Sequence, residues 1–173
     1  PYVRIGGESM THKGKFGPDV YADFLIDFMK RKKDVPFLAY FPMALPHGPL
    51  VATPLRPKAK GRDKQFKAMV EYVDHLVGRI VKSLDETGIR RKTIVIFTTD
   101  NGTAAGAGRG VRFNAGLRGT KGSEFDGGHR VPCFWHWPAG KLTGGRDVNR
   151  VTAHVDMLPT LSDICGLQPP TAH

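Results

Sequence analysis

Apolar positions along the chain follow two rhythms. Val20, Phe24, Leu25, Phe28 and Met29 are spaced for one face of a helix running from Asp19, a good capping residue, to about Lys32. The clearer case is Phe66, Met69, Val70, Val73, Leu76, Val77, Ile80, Val81 and Leu84, a long amphipathic helix closed by Gly88. Two other stretches are short and continuously apolar. Phe37 to Phe41 lies between Pro36 and Pro42, and Thr93 to Thr98 is rich in β-branched residues; both predict buried strands. Val131 to Trp137 predicts a third strand, stopped by Pro138. A final helix starts at Asp156 as cap, carries Leu158, Leu161 and Ile164 on one face, tolerates Pro159 in its first turn and ends at Gly166.

The segments between these elements lack periodicity. Residues 1–18 carry Gly6, Gly7, Gly14, Gly17 and Pro18 and are expected to be loop. Residues 42–61 hold five prolines, and residues 102–130 hold nine glycines. A stretch as long as the second, in a compact domain, is usually functional or disordered. The order α, β, α, β, loop, β, α predicts an α/β fold, a mostly parallel sheet with helices on both faces. No internal repeat or linker divides the chain, so residues 1–173 are expected to form one domain.

Charge adds one feature. The 173 residues include 26 Lys+Arg and 16 Asp+Glu, a net charge of +10. The cations cluster at Lys30–Lys33, from Arg56 to Lys67, and at Arg90–Lys92. Such a field attracts anions, although helix ends and solvated loops also collect cations. Aromatic residues do not interleave with the clusters, and no zinc finger, RNP1 pattern or basic heptad array is present, so nucleic acid is not expected as partner. No apolar run approaches the roughly 20 residues of a membrane span. Two cysteines exclude a disulfide-dense scaffold and a four-cysteine zinc site. Cys133 is expected to be a buried small residue.

The chemistry-bearing residues sit at strand ends. Thr98-Thr99-Asp100-Asn101-Gly102 runs from a strand straight into a carboxylate, an amide and a turn. Ligands of open α/β sheets bind at the carboxyl ends of strands, and Asp and Asn oxygens are hard donors suited to Ca²⁺ or Mg²⁺. A simple Asx turn uses the same residues, and Asn101-Gly102-Thr103 also reads as a glycosylation sequon. His47, in Pro46-His47-Gly48-Pro49, follows the strand expected at 37–41 and can carry a proton or donate to an anion; packing in a turn is the plainer account. Arg118-Gly119-Thr120-Lys121-Gly122 places two cations between glycines, where an oxyanion can approach closely, but it is not a P-loop. His75 is expected at the surface, and His136 and His154 in structural roles.

Taken together, these motifs resemble the sulfatase family of the alkaline-phosphatase-like superfamily. The matching stretches include Pro36–Tyr40 with Pro46-His47, the helix Met69 to Leu84, and Ile94 to Gly102. Leu117 to Gly122, Gly127 to Pro132 and His154 to Leu161 complete the set, in order, over about residues 18–168. The resemblance implies hydrolysis of sulfate esters by a partial alkaline-phosphatase-like sandwich. It implies a calcium ion, with magnesium as an alternative, ligated by Asp100 and Asn101. It also implies that His47 lies near the leaving oxygen and that Lys121 binds a sulfate oxygen. A secreted, periplasmic or lysosomal location follows from the resemblance alone.

One family element has no match. The nucleophile of such enzymes is a formylglycine made in a C/S-x-P-x-R motif, and neither Cys133, Cys165 nor any serine stands in that context. The paired aspartates that share the metal are also unmatched. The chain is therefore expected to be the carboxyl-terminal part of a catalytic domain and inactive alone, with the rest of that domain as partner. Its substrate would be a sulfate ester, and the basic clusters would suit a sulfated glycan. A phosphate or phosphonate hydrolase of the same superfamily and a non-catalytic, basic anion-binding module are the rival readings.

Overall fold

The computed structural model describes residues 2–104 and 113–168. Part of the glycine-rich stretch, residues 105–112, and the last residues, 169–173, lie outside the described residues. The described chain divides into two compact units, residues 1–143 and 144–173.

The first unit is built on two helices, α1 (Gly17–Lys32) and α2 (Arg62–Glu86). Their apolar stripes meet in two clusters. Ala22, Tyr72 and Leu76 form one, with Phe16, Phe41, Met43 and Leu45 against it. Met29, Leu84 and Ile89 form the other, with Phe28, Phe37 and Val95 against it. The order of these contacts makes the two helices run in the same direction. A polar hub locks the first cluster: the Tyr72 hydroxyl donates to both Asp19 carboxylate oxygens at 2.8 Å, and Arg79 donates to Asp19 at 3.0 Å and pairs with Asp23. Asp19 therefore does not cap α1, as its position in the sequence suggests. Phe16 holds the cap position, Pro18 opens the helix, and the Asp19 carboxylate is spent between the helices.

Helix α2 closes as expected at Gly88. The Gly88 N–H donates to Asp85 O at 3.0 Å and the Ile89 N–H to Leu84 O at 3.1 Å, with Gly88 at φ +72°. Ile89 and Leu84 then meet in the second cluster, the apolar contact that accompanies this closing motif.

Two expectations about strands change. Residues 1–18 contain a hairpin, β1 (Tyr2–Ile5) with β2 (Glu8–Thr11), joined by Gly6-Gly7. Both glycines have positive φ, the geometry that matches a two-residue turn to strand twist. Phe37–Phe41, by contrast, forms no ladder among the described residues. Pro36 and Pro42 lack N–H groups, and a strand exists only against a neighbour. Phe37 and Phe41 pack on the helices, while Leu38 is 81% and Tyr40 86% exposed.

Strand β3 (Val95–Thr98) pairs antiparallel with β4 (Cys133–His136), Val95 opposite His136 and Thr98 opposite Cys133. This is the ladder the described chain closes beside the hairpin, and no parallel pair forms among the described residues. Cys133 is exposed rather than buried, because it ends the ladder and accepts a 3.3 Å hydrogen bond from the Trp135 indole. The Arg90 guanidinium bonds His136 Nδ1, which gives that histidine the structural role expected of it. His75 is half-buried against Tyr72, at 5.2 Å between rings, not on the surface.

In the second unit, a 3-10 turn (His154–Asp156) leads into α4 (Met157–Ile164). Asp156 stands at the cap position of α4 as expected, but its carboxylate makes no capping hydrogen bond to that helix and instead accepts the Ala153 N–H at 2.7 Å. Gly166 closes α4 as expected, with Gly166 N–H to Asp163 O and Leu167 N–H to Ser162 O.

The hub makes a direct prediction. Tyr72→Phe removes a hydrogen bond to a carboxylate and should cost about 1.5–3 kcal/mol, read from the urea midpoint. Burial, then the Asp19 carboxylate, pushes the Tyr72 phenol well above its ordinary value of 10.0. Above pH 10 the unfolded phenol loses its proton while the folded one keeps it. This contribution to stability is thus full below pH 10 and falls as pH rises further. Tyr72→Phe should flatten that alkaline loss.

Candidate functional site

Strand β3 delivers Asp100 and Asn101 to its carboxyl end. The Asp100 side chain is exposed. The Asn101 side-chain N–H donates to the Gly102 carbonyl at 2.9 Å, which fixes the amide and leaves Oδ1 to accept or ligate. These are hard oxygen donors of the kind calcium or magnesium takes, and they fit two of the six to eight ligands of a calcium site. Among the described residues no group of three or more His, Cys, Asp or Glu side chains completes such a site.

The Lys121 loop is held against this strand end by backbone hydrogen bonds. Lys121 N–H donates to Thr103 O at 2.7 Å, and Gly102 N–H donates to Gly128 O at 2.9 Å. Gly127 N–H donates to Arg118 O at 2.7 Å and closes the circuit. Three segments, 100–103, 117–123 and 126–129, thus meet at one junction. Side chains would prevent it. A Cβ on Gly102 would fall on the Gly127 carbonyl, and one on Gly127 on the carbonyls of Gly119 and Arg118. The one-turn helix α3 (Asp126–His129), not expected from its Gly127-Gly128 pair, exists because those glycines admit this approach.

The loop also braces itself. The Asn114 side chain donates to Leu117 O at 2.8 Å, and Ser123 Oγ accepts the Thr120 N–H at 3.1 Å. The Arg118 guanidinium lies 3.7 Å above the Phe125 ring, so this cation is spent on packing the loop. Lys121 has no ion pair among the described residues and is exposed. Asn114, Ser123 and Phe125 were not singled out in the sequence, where their one signal is membership of a glycine-rich stretch.

His47 is carried on a different loop. A turn closes it, His47 N–H to Ala44 O at 3.0 Å, and Met43 and Leu45 anchor that turn to the Ala22–Tyr72–Leu76 cluster. The exposed ring has Nδ1 2.8 Å from Gly48 O; as a donor there, Nδ1 leaves Nε2 directed to solvent. The structure therefore joins Asp100 and Asn101 to the Lys121 loop, while no hydrogen bond among the described residues ties His47 to that junction. Phe37 and Val95 pack in the same cluster, so the segment leading to His47 and the strand leading to Asp100 start from a common base. His129 lies at the junction's edge with Nε2 3.1 Å from Glu124 O.

The sulfatase family model matches residues 12–167. The chain is 35% identical to steryl-sulfatase of Mus musculus, over 86% of this chain and 24% of that protein. It is 37% identical to arylsulfatase H of Homo sapiens, over 80% and 25%. With N-acetylgalactosamine-6-sulfatase of Canis lupus familiaris the identity is 32%, over 88% and 29%. The chain thus spans about a quarter of the length of the curated relatives it matches. Among solved structures it resembles Ps i-CgsB in complex with k-i-k-neocarrahexaose, with TM-score 0.82 and 27% identity, covering 94% of this chain and 37% of that one.

The junction's tightness is testable without any assay of function. In hydrogen exchange the Gly102 and Lys121 amides should be protected. Gly127→Ala should release both and cost about 1–3 kcal/mol as an overpacked contact. Unchanged protection would show that the close approach is not needed.

Proposed function

The chain belongs to the sulfatase family, and on that premise we propose that it forms part of the catalytic domain of a sulfuric ester hydrolase. The observation that carries the reading is the junction: the strand end bearing Asp100 and Asn101 is hydrogen-bonded to the loop bearing Lys121. Hard anionic and amide oxygens on one segment, with an ammonium on the segment hydrogen-bonded to it, are the groups that binding a metal and a sulfate together requires. Asp100 and Asn101 would hold a calcium or magnesium ion. When bound, that ion supplies Lewis-acid charge stabilisation at a sulfate oxygen.

The chain's own side chains have separable tasks. Lys121 neutralises charge on the sulfate oxygens as the S–O bond to the leaving group breaks. His47, with Nδ1–H on Gly48 O, presents protonated Nε2 to the departing oxygen and gives it a proton. The nucleophile, a formylglycine in the family, would come from outside residues 1–173. The exposed Leu38, Tyr40 and Phe134 support the same view, because they leave an apolar face suited to cover by the rest of the domain. We therefore take residues 1–173 as a piece of one catalytic domain and expect no saturable turnover from this chain alone.

The test uses the full-length protein with p-nitrophenyl sulfate, p-nitrophenyl phosphate and an alkyl sulfate. Sulfate should be the preferred ester by kcat/KM. Lys121→Ala should lower kcat by roughly 10²–10³, the loss seen when one charge-stabilising donor is removed. His47→Gln should cost far more with the alkyl sulfate, whose leaving group needs a proton, than with p-nitrophenyl sulfate. Asp100→Ala should raise the calcium concentration needed for half activity. Faster hydrolysis of the phosphate ester would favour the phosphate or phosphonate hydrolase. Metal-independent anion binding without turnover would favour the binding module.

A further inference from the structure

Arg31, Arg56, Arg79, Lys82 and Arg130 lie in ion pairs among the described residues, and the segment 56–67 gathers four exposed cations that do not. Arg31 pairs with Asp27, Arg79 with Asp19 and Asp23, Lys82 with Glu86 and Arg130 with Asp126. In the segment 56–67, Arg56 pairs with Glu71 at 2.9 Å. Lys67 also lies close enough to Glu71 to help hold its carboxyl below the ordinary value, after the larger effect of Arg56. Lys58, Lys60, Arg62 and Lys64 make no ion pair with any described carboxylate, and all four are exposed. They fall at every second residue.

Fold stability does not account for them. Lys30, Arg31 and Lys32 end α1, where cations complement the helix dipole. Arg62 and Lys64 stand at the opposite end of α2, in its first turn, with Asp63 as the one acidic residue there. That placement opposes the dipole. The segment is nevertheless rigidly mounted. Two successive turns, Arg56 N–H to Thr53 O and Ala59 N–H to Arg56 O, shape it. Buried Thr53 and the Val51 N–H on Met69 Sδ hold it to the core face of α2. The backbone that carries these cations is thus ordered before any polyanion arrives, which lowers the entropy lost on binding.

We propose that Lys58, Lys60, Arg62 and Lys64 form a docking rim for a polysulfated glycan, contacting sulfate groups other than the one cleaved. The inference rests on the sulfatase reading, because a substrate class with several sulfates is what makes a second anion site useful. The rim follows His47 on the same loop, which leads into α2. Nucleic acid fits it less well: the one aromatic residue between 54 and 67, Phe66, is half-buried and offers no stacking platform. The structural neighbour Ps i-CgsB is in complex with k-i-k-neocarrahexaose, a sulfated carrageenan oligosaccharide, which supports a sulfated chain as the occupant.

The experiment compares the full-length protein with its Lys58→Gln/Lys60→Gln/Arg62→Gln/Lys64→Gln variant. Binding of a heparin-derived hexasaccharide is titrated against salt. The variant should bind about tenfold or more weakly, with the slope of log affinity on log salt reduced by up to about 3. Its kcat/KM for p-nitrophenyl sulfate should stay within about twofold of the parent, since the proposal assigns these side chains to sulfates other than the one cleaved. Hexasaccharide affinities that match between parent and variant would overturn the proposal. So would equal or tighter binding of an oligothymidylate of the same charge, or of vesicles of equimolar phosphatidylserine and phosphatidylcholine, at the same salt. A parallel loss on p-nitrophenyl sulfate would also overturn it, by placing the residues in the site itself. Binding is read without turnover, so an inactive parent protein counts against the sulfatase reading and not against the rim.

Discussion

The candidate site around Asp100, Asn101 and Lys121 depends on a contact between backbones. Lys121 N–H reaches Thr103 O, Gly102 N–H reaches Gly128 O, and Gly127 N–H reaches Arg118 O because no side chain stands between them. Three neighbouring segments of one glycine-rich stretch become one junction. The backbones that carry Asp100, Asn101 and Lys121 are then tied together by amide hydrogen bonds. That is the physical basis of preorganisation: the cost of bringing charges together is met on folding, before any ligand arrives.

The helices serve that arrangement from below. The Met29–Leu84–Ile89 cluster receives Phe37 and Val95, the first residues of the two segments that lead to His47 and Asp100. Its neighbour, Ala22–Tyr72–Leu76, receives Met43 and Leu45 and so fixes the His47 turn. The Tyr72–Asp19–Arg79 hub sets the pairing of α1 and α2. A chain of contacts therefore runs from an interhelical hydrogen bond to the turn that carries His47.

Some of this was legible in the sequence. The stripes through Met69, Leu76 and Leu84 announced α2 because burial on a helix imposes its own spacing, and Gly88 and Gly166 announced the closures. Asp100, Asn101, Lys121 and His47 stood out by residue type and by position after apolar runs. The hairpin β1–β2 did not: Val3 and Ile5 alternate over only four residues, Glu8 to Thr11 carry a single apolar residue, Met10, and Gly6-Gly7 merged with the other glycines of a loop-like stretch. Phe37–Phe41 misled for a related reason. Its apolar run describes what the segment touches, whereas a strand is defined by a partner. Nor did the glycines reveal their pairing: Gly102 and Gly127 look like loop residues until the close approach between them is seen. The basic rim was visible as composition, but its lack of carboxylate partners is a fact of the fold.

The central claim is that Asp100, Asn101 and Lys121 face one shared ligand. The most direct check is a crystal structure of the full-length protein grown with calcium and an inert sulfate mimic, with the cation located by its anomalous signal. The account predicts calcium on an Asp100 carboxylate oxygen and Asn101 Oδ1, with the mimic bridging from it to Lys121 Nζ. A cation bound elsewhere, or an anion held without Lys121, would contradict it.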